Sequence, residues 1–215
     1  MDIGKLATAC VLIPFERDYA LFDYNNSWLR YLYNNLNTSF DDFGSNQLAI
    51  ITFNYDRTVE HFFFTSLQNS YGKNPDECFD ALKGIPIIHL HGNLGPLPWQ
   101  AAKDTRPFDF NVSPEALSIA AANIKIIHED IKDGRDKEFE RAKTLINEAE
   151  RVLFMGFGYN GTNMERLGIA GIGANKAFGT CVGMGNHEKS AARSGNRIDL
   201  RDGNCLHFVR ELIQW

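Results

Sequence analysis

Apolar positions in the first forty or so residues, Leu29, Tyr31, Leu32 and Leu36 among them, recur at mixed helical spacing and predict a helical N-terminal region. Within it, Leu6 to Phe15 is mostly apolar, with one lysine before it beside an aspartate and no small-residue cleavage pattern after it. It reads as a buried element and not as a signal. The period then shortens. Leu48 to Phe53 (LAIITF) is a nearly continuous apolar run with β-branched residues, the mark of a strand covered on both faces. Thr58 to Leu67 follows as a helix, and Ile85 to Leu90 (IPIIHL) as a second buried strand, with Pro86 suited to its first residue or to an edge. Gly92 to Pro114 holds four of the seven prolines and reads as an irregular connection. Ile124 to Ile127 (IKII) is a third strand candidate. Asp136 to Glu150 is an amphipathic helix with Phe139, Ala142, Leu145, Ile146 and Ala149 on one face. Arg151 to Met155 is a fourth strand and Phe178 to Val182 a fifth.

Strands alternating with helices imply an α/β fold with a Rossmann-like, mostly parallel sheet flanked by helices and joined by right-handed crossovers. The chain of 215 residues is expected to form a single domain over 1–215. Its 44% hydrophobic and 23% charged residues match an ordinary globular protein and exclude a wholly disordered or fibrous one. A net charge of -5 supplies no positive field for a phosphate backbone, so nucleic acid is not an expected partner. No apolar run approaches the roughly 20 residues of a membrane-spanning helix, so no membrane partner is expected either. Cys10, Cys78, Cys181 and Cys205 form no CxxC pair, which leaves neither a disulfide framework nor a zinc ribbon and fits a reducing cytoplasm. The N-x-S/T triplets at Asn25, Asn37, Asn111 and Asn160 then carry no glycosylation meaning.

In a parallel sheet the ligand crevice lies outside the carboxyl ends of the strands, so the strand-terminating residues are where chemistry is sought. The first strand runs into TFNYD, Thr52 to Asp56. Asp56 suits the start of the following helix as a cap, and Asn54 offers an amide able both to donate and to accept toward a ligand. The second strand ends in HLHG, His89 to Gly92, whose alternating histidines share a face. No carboxylate or cysteine completes a metal set with them, and no metal is expected. His91 before Gly92 suits a general base, since imidazole titrates near neutrality and glycine permits close backbone approach; a histidine bonded within its turn is the alternative. His128, Glu129 and Asp130 read as a solvated cluster that opens a helix. The fourth strand opens into GFGYNGTN, Gly156 to Asn163, before a helix near Met164. Its amides can face phosphate or ribose oxygens, or its glycines can serve a tight turn alone.

TFNYD, HLHG and GFGYNGTN, in that order from Ile51 to about Asn163, resemble the later motifs of sirtuins and sirtuin-like bacterial domains. TFNYD looks like the family's TQNxD, HLHG like its HG with the catalytic histidine, and GFGYNGTN like its ribose-binding loop. The resemblance implies that Asn54 holds the nicotinamide ribose and a water, that Asp56 supports the nicotinamide pocket, and that His91 is general base on a ribose hydroxyl. It implies further cofactor contacts from Thr52, Gly92, Gly156, Gly158, Tyr159 and Asn163, with NAD as substrate or ligand. Two departures from the family stand out. The opening GAGxS loop has no counterpart, since Gly4 and Gly44 are the only glycines before the first strand run. The domain is therefore expected to be N-terminally incomplete, with a homo-oligomer or a partner chain as the source of the missing loop. No cysteine lies between Cys78 and Cys181, which argues against a deacetylase's zinc ribbon and points to the zinc-free bacterial branch, similar to NAD-cleaving effectors of antiphage defence. The expected activity is an NAD glycohydrolase releasing nicotinamide. The alternatives are an inactive NAD or ADP-ribose binding module, or a ligand-free remnant.

Overall fold

The computed structural model describes every residue except 1, 24–26, 37–38, 101, 127–136, 173–174 and 214–215. It is an α/β structure with small parallel sheets flanked by helices and a helical N-terminal region. The chain divides into two compact units, one of Met1–Asn25 and Leu36–Asp136, the other of Asn26–Asn35 and Lys137–Trp215.

The first unit opens with α1 (Ile3–Leu12), capped by the Asp2 carboxylate, which accepts from the Gly4 amide at 2.7 Å. Ala9 and Ile13 pack against Leu94, Ala116, Ala120 and Ile124, the alanines allowing close approach to α6 (Pro114–Asn123). After α2 (Asp18–Asp23) the chain reaches β1 (Ile50–Thr52), α4 (Thr58–Tyr71), α5 (Pro75–Leu82) and β2 (Ile87–His89), with α3 (Trp28–Asn35) belonging to the other unit. Phe62, Phe63, Phe64 and Leu67 bury α4, and Gly72 ends it in the left-handed conformation. The two strands pair in parallel, Ile50 with Ile87 and Thr52 with His89. Pro86, without an amide hydrogen, stands just before β2 and uses its carbonyl to accept from Ile50 at 2.8 Å.

The second unit carries α7 (Lys137–Glu148), β3 (Val152–Phe154), α8 (Gly161–Arg166), β4 (Ala177–Thr180), α9 (Asn186–Asn196), β5 (Asp199–Arg201) and α10 (Cys205–Leu212). The three strands form a parallel sheet in the order β3-β4-β5. Phe139, Ala142 and Ile146 are the buried face of α7, and the Arg166 guanidinium lies over the Phe139 ring at 3.7 Å.

The IKII stretch differs from its expectation. Ile124 makes an isolated antiparallel bridge with Gly92 and no ladder among the described residues, because it closes a helix and does not open a strand; Ile127 lies outside the described residues. The helix α6 before it carries plain signals, a Ser113 cap and Pro114 at its first position. His128, Glu129, Asp130 and Asp136 also lie outside the described residues. No helix or strand occurs among the described residues of 93–113, and no helix among the described residues is long and apolar enough to cross a membrane.

Candidate functional site

In the first unit, the candidate residues stand at the carboxyl ends of β1 and β2. Thr52 ends β1, and its hydroxyl accepts from the Asn54 amide at 3.0 Å. The Asn54 side chain is exposed, while its carbonyl accepts from His89 Nδ1 at 2.8 Å. Asp56 accepts from the Thr58 amide at 3.2 Å, so its carboxylate supports the start of α4. His91 follows β2, only 7% exposed, with its ring tilted over Phe53 at 5.6 Å between centroids. Its carbonyl accepts from the Lys125 amide at 2.9 Å. Gly92 has φ +73°, and a Cβ there would collide with the Asn123 carbonyl oxygen at the end of α6. The glycine of HLHG is thus demanded by the fold.

His89 was given no role by the sequence, and the structure gives it one. Its Nε2 lies 2.6 Å from Glu60 Oε1, both side chains buried. Burial alone would lower its pKa, but the Glu60 hydrogen bond and charge, the Asn54 carbonyl and the Asp56 charge together raise it. Beside this pair lies a second buried ionic group that the sequence does not reveal. Glu16, 1% exposed, accepts from the Arg57 amide at 2.9 Å and from its Nε at 3.0 Å, and it also holds Arg106. Burial lowers both guanidinium pKa values to about 10, with nearby carboxylates opposing it, so both stay charged at neutral pH.

In the second unit, the loop after β3 runs over the end of β4. The Gly156 amide donates to Thr180 Oγ1 at 2.9 Å, and the Tyr159 hydroxyl donates to the Thr180 carbonyl at 2.8 Å. Burial pushes the Tyr159 hydroxyl pKa up, with the Cys181 charge adding to it. Tyr159 has φ +49°, an uncommon backbone for a bulky residue, and its ring occupies the space above Gly179, where a Cβ would collide with it. The hydroxyl of Tyr159, a residue that the resemblance assigns to the cofactor, therefore anchors the loop. Asn160 caps α8, accepting from the amides of Thr162 at 3.0 Å and Asn163 at 3.4 Å.

Beyond these strand ends is a cleft of about 340 Å³ whose lining includes Gly156, Gly158, Thr180, Gly183, Glu188 and Gly203, from all three strand–helix junctions. The glycines there differ in kind. Gly156 and Gly183 have positive φ, so their backbones require glycine. Gly158 has neither a positive φ nor any atom within 4 Å of where a Cβ would stand. Sequence reasoning missed the later half of this cleft, although the Gly183-Met184-Gly185 run after an apolar strand was a usable signal. Glu60, set among the phenylalanines of α4, was a second one. In comparisons with known proteins, no family model, no curated protein and no solved structure matches this chain.

Proposed function

We propose that this chain is a sirtuin-like NAD-binding protein of the zinc-free bacterial type that hydrolyses NAD to nicotinamide and ADP-ribose, as an effector of antiphage defence would. The observation that carries the reading is placement: TFNYD, HLHG and GFGYNGTN each stand at the carboxyl end of a parallel strand, where α/β proteins bind ligands. In this reaction the bond between ribose C1′ and the nicotinamide nitrogen breaks, and nicotinamide leaves with the electron pair. Water supplies the oxygen that bonds C1′, and its proton is taken up by a base or by solvent. Asn54, exposed at the end of β1, is assigned to the ribose and the attacking water. His91 is assigned as base on a ribose hydroxyl, supporting the positive charge that develops at C1′. Thr52, Asp56 and Gly92 are assigned to supporting contacts within the first unit. In the second unit, Gly156, Gly158, Tyr159 and Asn163 are assigned to a nucleotide-binding loop, and Gly158 is a glycine there that neither backbone conformation nor packing explains.

The test is titration calorimetry of the purified chain with NAD and with ADP-ribose, following nicotinamide release in the same samples. Release that disappears in Asn54→Ala and His91→Ala, with the thermal midpoint retained, is the expected result. A second reading, a module that binds NAD or ADP-ribose without cleaving it, draws on the cleft in the second unit, which is lined by residues of that unit alone and needs neither Asn54 nor His91. Binding that survives His91→Ala with no turnover in either form favours that module. Neither binding nor release would remove both readings.

A further inference from the structure

The proposed chemistry uses neither Glu60 nor His89, yet both are buried, and a buried carboxylate is costly unless it is paired. Glu60 reaches in from the first turn of α4 and meets His89 at the end of β2. On the opposite side of the imidazole, Nδ1 lies 2.8 Å from the Asn54 carbonyl oxygen. A carbonyl only accepts, so Nδ1 carries a hydrogen, and the ring meets Glu60 through Nε2 across 2.6 Å. A single proton in that gap serves both groups, and it couples the charge of Glu60 to the strength of the Nδ1 bond.

Asn54 is held from two sides. Its amide donates to Thr52 Oγ1 at 3.0 Å and its carbonyl accepts from His89, while its side chain stays exposed. The backbone on which that side chain stands is therefore fixed by side chains from β1 and β2 together. We propose that Glu60 and His89 are a positioning dyad that orients Asn54, with Glu60 polarising the imidazole and the imidazole holding the Asn54 carbonyl. The proposal rests on the reading of Asn54 as the residue that meets the nicotinamide ribose. The charged groups acting on the imidazole are Glu60 on α4 and Asp56 just before it, and Arg57 acts in turn with Glu60. Because the folded state raises the His89 pKa, its contribution to stability is complete below about 6.5 and is lost as pH rises through the raised value.

Two substitutions separate the arms of the dyad. His89→Asn places an amide donor near the position of Nδ1, within reach of the Asn54 carbonyl. His89→Gln places one near Nε2, toward Glu60. On isotopically labelled wild type, the Asn54 carbonyl carbon and Tyr55 amide resonances are followed with the His89 ring nitrogens through the neutral pH range. They are expected to titrate together, and Glu60→Gln is expected to lower that shared midpoint. In turnover, His89→Gln and Glu60→Gln should lower kcat roughly ten- to a hundredfold with KM nearly unchanged, while His89→Asn with Glu60→Gln, which leaves no orphaned carboxylate, recovers most of it. An Asn54 carbonyl indifferent to the His89 titration overturns the dyad, as does a His89→Gln protein as active as the rescued double variant. If wild type releases no nicotinamide, the hydrolase reading fails on its own, and the resonance titration still decides the dyad.

Discussion

Glu16, which the sequence does not single out, is a buried carboxylate that joins three distant parts of the first unit. Its carboxylate is shared by Arg57, at the threshold of α4, and Arg106, in the proline-rich stretch. Both guanidinium groups also bond to backbone: Arg57 donates to the carbonyls of Gly95, Arg106 and Pro107, and Arg106 to those of Leu94 and Asp109, with the Asp109 carboxylate 3.7 Å from Arg106 Nη1. Backbone without helix or strand partners is thereby satisfied inside the protein, which holds the described residues of 93–113 without regular secondary structure. Glu16→Gln removes the carboxylate shared by the two buried cations, leaving Asp109 at 3.7 Å from Arg106 Nη1, and urea denaturation is expected to read a loss of about 3–5 kcal/mol. A loss under about 1 kcal/mol would mean that the cations are compensated from elsewhere. None of this was legible, because Glu16, Arg57 and Arg106 lie far apart in the chain and each looks like an ordinary surface charge. Asn54, Asp56 and His91 were legible for the opposite reason: each stands within three residues of the end of an apolar run, so the end of a strand located them.

At the scale of elements, short and mostly apolar runs were the reliable signal. LAIITF, IPIIHL and RVLFM each contain a paired strand, shorter than the run because only three residues of each meet a neighbour in register. The strand β5 escaped because Asp199-Leu200-Arg201 holds one apolar residue, and an edge strand with one covered face needs no more. IKII misled because apolar residues also gather where a helix ends against a core, as Ile124 does beside Leu94. The glycines of the two strand-end motifs separate in the same way. Gly92→Ala meets the Asn123 carbonyl oxygen in a positive-φ backbone and is expected to cost stability by more than about 1 kcal/mol, lowering the thermal midpoint. Gly158→Val meets open space; it should leave that midpoint within experimental error and weaken ADP-ribose binding at least about tenfold, a difference of 1.4 kcal/mol. Equal affinity in Gly158→Val and wild type would remove the loop from the site.

The whole molecule has a net charge of -5, and a dinucleotide is itself an anion, so long-range attraction cannot bring the two together. Among the described residues lining the second unit's cleft there is no lysine or arginine, and Glu188 adds a negative charge. A diphosphate bound there would have to be held by neutral donors, such as backbone amides around Gly158 and Gly183 or the Asn204 side-chain amide, at the ends of parallel strands. Amide dipoles act over short distances and are little affected by salt, whereas lysine and arginine contacts weaken as counterions compete for them. Raising sodium chloride from about 0.05 to 0.5 M is therefore expected to leave the ADP-ribose Kd within about twofold, or to tighten it slightly as repulsion is screened. A tenfold loss over that range would show that cations hold the phosphates, and the cleft at the ends of β3, β4 and β5 would then not be where the diphosphate sits.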